Sequence, residues 1–191
     1  MNAKTETLTL FCSSCLLGKK CLYHGWLATF ALPALRDFEA HGFRIVDACP
    51  EMLGGLTCPR RPSYVFGDRV RQSVGRGRDV TAEFTLGARL ALEVLKAARP
   101  VAAALLLKDS PSCDPEFGIF GRQAARLVRV VACKRGLEWE AELRRILQIL
   151  PPQRNLFQQR PNRPPRTGSP NHPSALPSPS PPARPSARCR G

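Results

Sequence analysis

Cysteine is the residue type with the most chemical potential in this chain, which has eight cysteines among 191 residues. Three lie close together in the segment CSSCLLGKKC, residues 12–21, and the others are Cys49, Cys58, Cys113, Cys133 and Cys189. Thiolate sulfur is a soft ligand that suits zinc or an iron–sulfur cluster and does not suit magnesium or calcium. The first residues lack the cationic start and apolar run of a signal peptide, so we expect a reducing, cytoplasmic location. There, grouped cysteines bind metal or react more often than they form disulfides.

The spacing of the cysteines argues against a closed zinc site. Such a site needs four ligands, usually from two CxxC pairs, and Cys12 with Cys15 makes the only CxxC pair in the sequence. We therefore favour a set of three, Cys15, Cys49 and Cys113, with one coordination position left open for chemistry. Cys12 lies inside a predicted strand and is expected to be a small buried hydrophobe. Two other cysteines fall in predicted loops with no evident partner, Cys21 and Cys58.

Each member of this set follows a segment with the pattern of a β-strand. The segments are short and bounded by turn residues, and they are Leu8–Cys12, Phe43–Ala48 and Val101–Leu107. The last is apolar throughout, which is typical of a strand buried on both faces of a parallel sheet.

Helical spacing of apolar residues predicts a helix over 33–41. It predicts a second helix that begins at Asp79 or Thr81 and ends at Pro100. Between them, residues 54–77 are predicted to be a loop. Strands that alternate with helices predict a single small three-layer α/β domain with a mostly parallel sheet. The carboxyl ends of such strands meet at one edge, so the three cysteines should converge there.

Two polar residues beside the cysteines could take part in catalysis. Glu51 follows Cys49 by two residues, and Ser110 precedes Cys113 by three. At a partly buried metal edge a glutamate can act as general base and a hydroxyl as proton donor. Alternatively, Glu51 caps a helix turn and Ser110 caps the turn at Pro111. The spacing leaves both interpretations open.

Five motifs follow one another along the chain. In order they are Ser14–Gly18 (SCLLG) with Tyr23 and Gly25, Cys49–Glu51 (CPE) with Gly54–Leu56 and Pro59–Arg60, Gly77–Thr81 (GRDVT), Phe84 with Gly87–Ala88, and Ser110–Cys113 (SPSC). With these motifs the sequence resembles the small bacterial family, long called a domain of unknown function, that includes the thiouracil desulfidases. The resemblance covers roughly residues 8–117.

The resemblance implies a [4Fe–4S] cluster held by only three cysteines, Cys15, Cys49 and Cys113, so that one iron is free to bind the sulfur of a substrate. It also implies that Glu51 activates a water for attack on the thiolated carbon and that Ser110 assists proton transfer. The implied activity is the non-redox desulfuration of a thiolated pyrimidine, such as thiouracil, or of a related thioamide. The products are the oxo-base and sulfide.

The sequence departs from the family pattern in three places. His24 stands where the family has an aspartate, and Asp114 replaces a glycine, which has freer access to positive φ. Beyond residue 120 the family pattern is not evident. We therefore divide the chain into a desulfidase-like α/β domain (1–120), a divergent helical segment (121–150) and a tail (151–191). One hypothesis is a reading-frame shift between Asp114 and Leu137, which would make the chain an inactive relative.

The tail, residues 151–191, holds seven arginines, no lysine, no acidic residue and 12 of the 19 prolines, and so carries half of the formal net charge of +14. A segment of this composition cannot bury enough apolar surface to offset its ordering entropy, and we predict that it is disordered. An alternative function is a structural metal-binding module that contacts RNA non-specifically through this tail.

No apolar run approaches the ~18 residues of a membrane span. The expected partner is a small thiolated base, and the sequence makes no prediction of oligomeric state.

Overall fold

One parallel β-sheet forms the centre of the fold in the computed structural model, which describes residues 7–73 and 77–148. In chain order the strands of this range are β1 (Thr9–Ser13), β2 (Arg44–Ala48), β3 (Ser63–Phe66), β4 (Arg69–Gln72), β5 (Val101–Leu107) and β6 (Val130–Cys133). The helices are α1 (Leu32–Ala40), α2 (Pro50–Leu53), α3 (Thr81–Ala97), α4 (Gly121–Ala124) and α5 (Trp139–Leu147). The sheet has the order β2-β1-β5-β6, and every neighbouring pair in it is parallel.

The sheet is covered by helices on both faces, which makes the domain three layers deep. Leu10 and Cys12 of β1 pack with α1 and α5, whereas Phe11 packs with α3 on the opposite face. The same alternation holds in β5, where Leu105 belongs to the first core and Leu106 to the second. Both faces of β5 are buried, which explains why its sequence is apolar throughout. The predicted α/β class with a mostly parallel sheet is confirmed.

The predicted loop 54–77 contains a β-hairpin that the sequence did not reveal. Strands β3 and β4 pair antiparallel around Gly67-Asp68, and Gly67 has a positive φ of 58°. The hairpin was missed because its strands have only four residues each, too few for a strand pattern to stand out in a Gly-, Pro- and Arg-rich segment. It lies outside the main sheet and forms one wall of the site described below.

The segment after residue 120 is not purely helical as predicted, because it contains β6. This strand pairs with β5 from Ala104↔Val130 to Leu107↔Cys133, and α5 packs behind it. Four residues between Arg129 and Lys134 are too few for a periodicity to stand out, and it is the pairing with β5 that defines them as a strand. The predicted helix end at Leu150 and the predicted disordered tail, 151–191, lie outside the described residues.

None of the helices in the described ranges combines the length and apolar character that crossing a membrane requires.

Helix α2 lies directly against α3, and two glycines allow this close approach. A β-carbon at Gly87 of α3 would overlap the carbonyl oxygen of Pro50, and one at Gly54 would overlap that of Glu83. Both neighbours are backbone atoms, so no side-chain rotation could make room. The position of α2, and of Glu51 within it, therefore depends on Gly87.

We expect Gly87→Ala to destabilise the protein by about 1–3 kcal/mol, the cost typical of overpacking a rigid contact. This cost exceeds the gain in helix propensity, which is at most about 1 kcal/mol. Thr85→Ala, on the exposed side of the same helix, should be neutral or slightly stabilising. Urea unfolding of both variants checks the prediction, and a Gly87→Ala protein as stable as the wild type would contradict the close packing of α2 on α3.

Candidate active site

The three cysteines singled out in the sequence come from the carboxyl ends of three neighbouring strands. Cys15 lies in a 3₁₀ turn, Ser14–Leu17, directly after β1; Cys49 lies between β2 and α2; and Cys113 lies in the turn after β5. All three line one cavity of about 990 Å³. Cys15 and Cys113 are buried, and Cys49 is partly buried.

The turn that carries Cys15 is closed by a glycine in the left-handed region. Gly18 has φ 71°, and its backbone N–H donates to the carbonyl oxygen of Cys15 at 3.0 Å. A residue with a side chain would be strained in this conformation. The Leu-Leu-Gly sequence after Cys15 thus turns the chain away from β1 and fixes the direction of the thiol.

Cys21 is also part of this site, although the sequence suggested a loop thiol without a partner. It is buried, lines the same cavity, and hydrogen-bonds with the thiols of Cys15 and Cys49. Its hydrogen bond with Cys15 raises the pKa of Cys21 to about 12, and its hydrogen bond with Cys49 raises the pKa of Cys49. Cys12, by contrast, is fully buried within β1 as predicted, and burial raises its pKa.

Two hydroxyls accompany Cys113. Burial raises the pKa of the Cys113 thiol, while hydrogen bonds from Ser13 and Ser110 act in the opposite direction and favour the thiolate. Because a metal can bind only the thiolate, these thiols would lose protons when a metal enters. In the described ranges, no three His, Cys, Asp or Glu side chains form a group that could hold a single metal ion. A cluster makes a different demand, because each thiolate binds a different iron.

Glu51 is held in the cavity wall by a buried network. Its side chain is only 10% exposed and forms an ion pair with Arg60, whose side chain is 4% exposed. Arg60 Nε donates to Glu51 Oε2 at 2.6 Å, and Ser112 Oγ donates to Glu51 Oε1 at 2.5 Å. Arg60 donates further to the carbonyl oxygens of Cys21 and Thr57. The carboxylate is therefore fixed from both sides.

Ser110 caps its own turn, as the alternative interpretation suggested, and it also lies at the site. Its Oγ accepts from the backbone N–H groups of Ser112 at 3.3 Å and Cys113 at 3.2 Å. Since a hydroxyl has one proton to donate, that proton remains available to the Cys113 sulfur or to the cavity. The two interpretations of Ser110 are thus compatible.

Asp114 builds the turn that the family forms with a glycine. Its side chain is fully buried and accepts from the backbone N–H groups of Asp109 and Glu116, each at 2.8 Å, and from that of Phe117 at 3.4 Å. Asp114 does not have a positive φ; the residue that does is Asp109, at 60°. Asp114 therefore needs no left-handed conformation here, because its carboxylate organises the turn by hydrogen bonds.

His24, the other departure, lies on the cavity wall. Its Nδ1 accepts from the backbone N–H of Trp26 at 3.0 Å, and its ring contacts the rings of Tyr23 and Trp26.

Arg60 and Ser112 are the functional residues that sequence reasoning missed. Both stand inside the quoted motifs, so the motifs were the available signal, but their contact with Glu51 requires the fold.

Residues 10–129 match the model of the 2-thiouracil desulfurase family, so the chain belongs to that family. A curated relative, the uncharacterized protein YbbK of Bacillus subtilis (strain 168), is 33% identical over 114 residues, covering 55% of this chain and 72% of the relative. Among solved structures, the [4Fe-4S]-dependent thiouracil desulfidase TudS (DUF523Vcz) is similar, with a TM-score of 0.61 and 32% sequence identity. That similarity covers 72% of this chain and 97% of the TudS chain.

The family match also bears on the hypothesis of a frame shift. It continues to residue 129, through most of the interval from Asp114 to Leu137 in which the shift was placed. The family sequence therefore persists beyond residue 120, the predicted end of the desulfidase-like domain. A shift, if present, would begin after the cavity-lining residues of β5, its following turn and α4.

Proposed function

We propose that this protein is a [4Fe–4S]-dependent desulfidase that converts a thiolated pyrimidine, such as thiouracil, or a related thioamide into the oxo-compound and sulfide. The observation that carries the proposal is the meeting of Cys15, Cys49 and Cys113 from three strand ends in one cavity with a fixed carboxylate, Glu51. Membership of the 2-thiouracil desulfurase family and similarity to TudS support it. A thiolate-held cluster also agrees with the expected cytoplasmic location.

The donor set fits the cluster. Three thiols are soft ligands of the type that hold iron–sulfur clusters, and Ser13 and Ser110 favour the thiolate form of one of them. In this proposal Cys15, Cys49 and Cys113 hold the cluster. When bound, the cluster would supply a soft Lewis acid for the thiocarbonyl sulfur, which polarises the carbon–sulfur bond.

The chain's own residues supply the remaining chemistry. Glu51 accepts a proton from a water, whose oxygen forms a bond to the thiolated carbon while the carbon–sulfur bond breaks. Arg60 pairs with the Glu51 carboxylate and holds it in the cavity wall. Ser110, whose hydroxyl proton is not used by its turn, assists proton transfer. Carbon keeps its oxidation level, so neither an oxidant nor a reductant is consumed.

Anaerobic purification followed by an activity assay tests the proposal. The protein should contain roughly four iron and four acid-labile sulfide per chain, and should release sulfide from 4-thiouracil. Glu51→Gln should keep the cluster and lose at least ~100-fold in kcat, in the range typical of general-base removal. Glu116→Gln, at an exposed carboxylate on the same cavity, should change kcat little. A colourless protein with stoichiometric zinc would instead favour a structural metal-binding module.

A further inference from the structure

We infer that Ser112, together with Arg60, is a positioning residue that holds the Glu51 carboxylate in the orientation needed for attack by water. The inference rests on the proposed role of Glu51 as the base and assigns a function to a residue that the family resemblance left without one. The two serines of the SPSC motif thereby have different roles, because Ser110 contacts Cys113 and Ser112 contacts Glu51.

The contacts of Glu51 show how completely its carboxylate is oriented. Ser112 Oγ lies 2.5 Å from Oε1, and Arg60 Nε lies 2.6 Å from Oε2, with a second guanidinium nitrogen on the same oxygen. A carboxylate has roughly four acceptor positions, of which three are therefore used. The acceptor position that remains, on Oε1, is available to a water. The hydrogen bond from Ser112 fixes the direction of that position.

The two serines are distinguished by their donors and acceptors. Ser110 Oγ accepts two backbone N–H groups and lies beside the sulfur of Cys113. Within the described ranges, the hydroxyl that contacts Glu51 is that of Ser112, which is 2% exposed. A hydroxyl has a single proton, and that of Ser112 is committed to Glu51 because an ionised carboxylate cannot donate in return.

The contact between Glu51 and Ser112 also joins two parts of the site that are distant in sequence. It connects the first turn of α2, at the carboxyl end of β2, to the turn after β5, across a separation of 61 residues. The same turn carries Cys113, and the same end of β2 carries Cys49. The hydrogen bond therefore fixes the base relative to two of the proposed cluster ligands, so that the water and the thiolated carbon meet in one geometry.

Removing only this hydroxyl should affect the reaction step rather than binding. In Ser112→Ala, Arg60 still pairs with Oε2 of Glu51, but Oε1 loses its hydrogen bond and the carboxylate can turn about the Cγ–Cδ bond. Misplacement of a reacting group by about 1 Å can cost on the order of 100-fold in rate. We expect kcat to fall 10- to 100-fold while KM for 4-thiouracil stays within about twofold and the iron content is unchanged.

A double-mutant cycle tests whether Ser112 acts through Glu51. In a Glu51→Gln background, adding Ser112→Ala should leave the residual kcat unchanged, because the group that Ser112 positions has already been replaced. The melting temperatures of the same four proteins provide a readout that does not depend on turnover, and they should also be non-additive. Thr85→Ala is the control: it also removes a single hydroxyl, but from the exposed side of α3 and outside the residues that line the cavity. It should keep kcat within about twofold of wild type.

The outcomes separate the inference from the proposed function. A wild-type protein that holds its cluster but releases no sulfide overturns the proposed function. An active wild type with an equally active Ser112→Ala variant overturns the inference alone. The inference also fails if the losses from Ser112→Ala and Glu51→Gln multiply, because Ser112 would then act independently of Glu51.

Discussion

Alanine at Cys15, Cys49 or Cys113, introduced one residue at a time, is expected to remove the iron and acid-labile sulfide of the purified protein and to abolish desulfuration. With one thiolate lost, the proposed cluster keeps only two protein ligands, and the fourth iron already has none. Among the described residues that line the cavity, the one other soft ligand is the thiol of Cys21, and its contribution is tested by the variants below.

Two other cysteines provide controls for this prediction. Cys12 is buried inside β1, and Cys21 is buried beside Cys15 and Cys49, so replacing either tests whether any cysteine near the site is required. We expect Cys12→Ala and Cys21→Ala to keep the metal content and the visible absorbance of the wild type. If Cys21→Ala loses its iron while one of the three proposed ligand variants keeps it, the assigned ligand set is wrong.

Arg60→Met is expected to lower the free energy of unfolding by about 3–5 kcal/mol, the cost typical of removing one partner of a buried ion pair. The side chains of Arg60 and Glu51 are 4% and 10% exposed, so water cannot take over the pairing. Arg60 also donates to the backbone of Cys21 and Thr57, and those carbonyl oxygens lose a donor in the variant.

A second variant identifies the origin of this effect. Replacing Glu51 with Gln in the Arg60→Met protein removes the unpaired charge and should restore a large part of the lost stability. Arg61→Met changes the neighbouring, exposed arginine and should leave the free energy of unfolding within about 0.5 kcal/mol of wild type. Urea unfolding of the four proteins measures these values. An Arg60→Met protein that is no less stable than wild type would show that the ion pair is not buried in solution.

The sequence predicted the parts of the molecule that follow from periodicity and from strand ends. β1, β2 and β5 are bounded by turns and each is followed by a cysteine, and β5 is apolar throughout. Their pairing into a parallel sheet and the convergence of Cys15, Cys49 and Cys113 could therefore be inferred. The approximate position of α3 was also predicted, since its apolar stripe continues over several turns.

The parts that escaped prediction depend on contacts between distant segments. Cys21 becomes part of the site because Arg60 binds its carbonyl oxygen from a position 39 residues away, and no local pattern records that contact. The pairing of Ser112 with Glu51 is of the same kind. β6 and the hairpin strands are too short for their alternation to be read, and Asp114 replaces a glycine by side-chain hydrogen bonds that only the folded turn reveals.

The order of strands in the sheet has a consequence for how the protein is made. β2, β1 and β5 are neighbours in space, but β5 follows β1 by about ninety residues of chain. Synthesis proceeds from the N-terminus at roughly 5–20 residues per second, so Cys15 and Cys49 leave the ribosome seconds before Cys113. Parallel pairing over such separations is also slow to form. If Cys15, Cys49 and Cys113 hold the proposed cluster, its three protein ligands come together only after β5 has paired with β1.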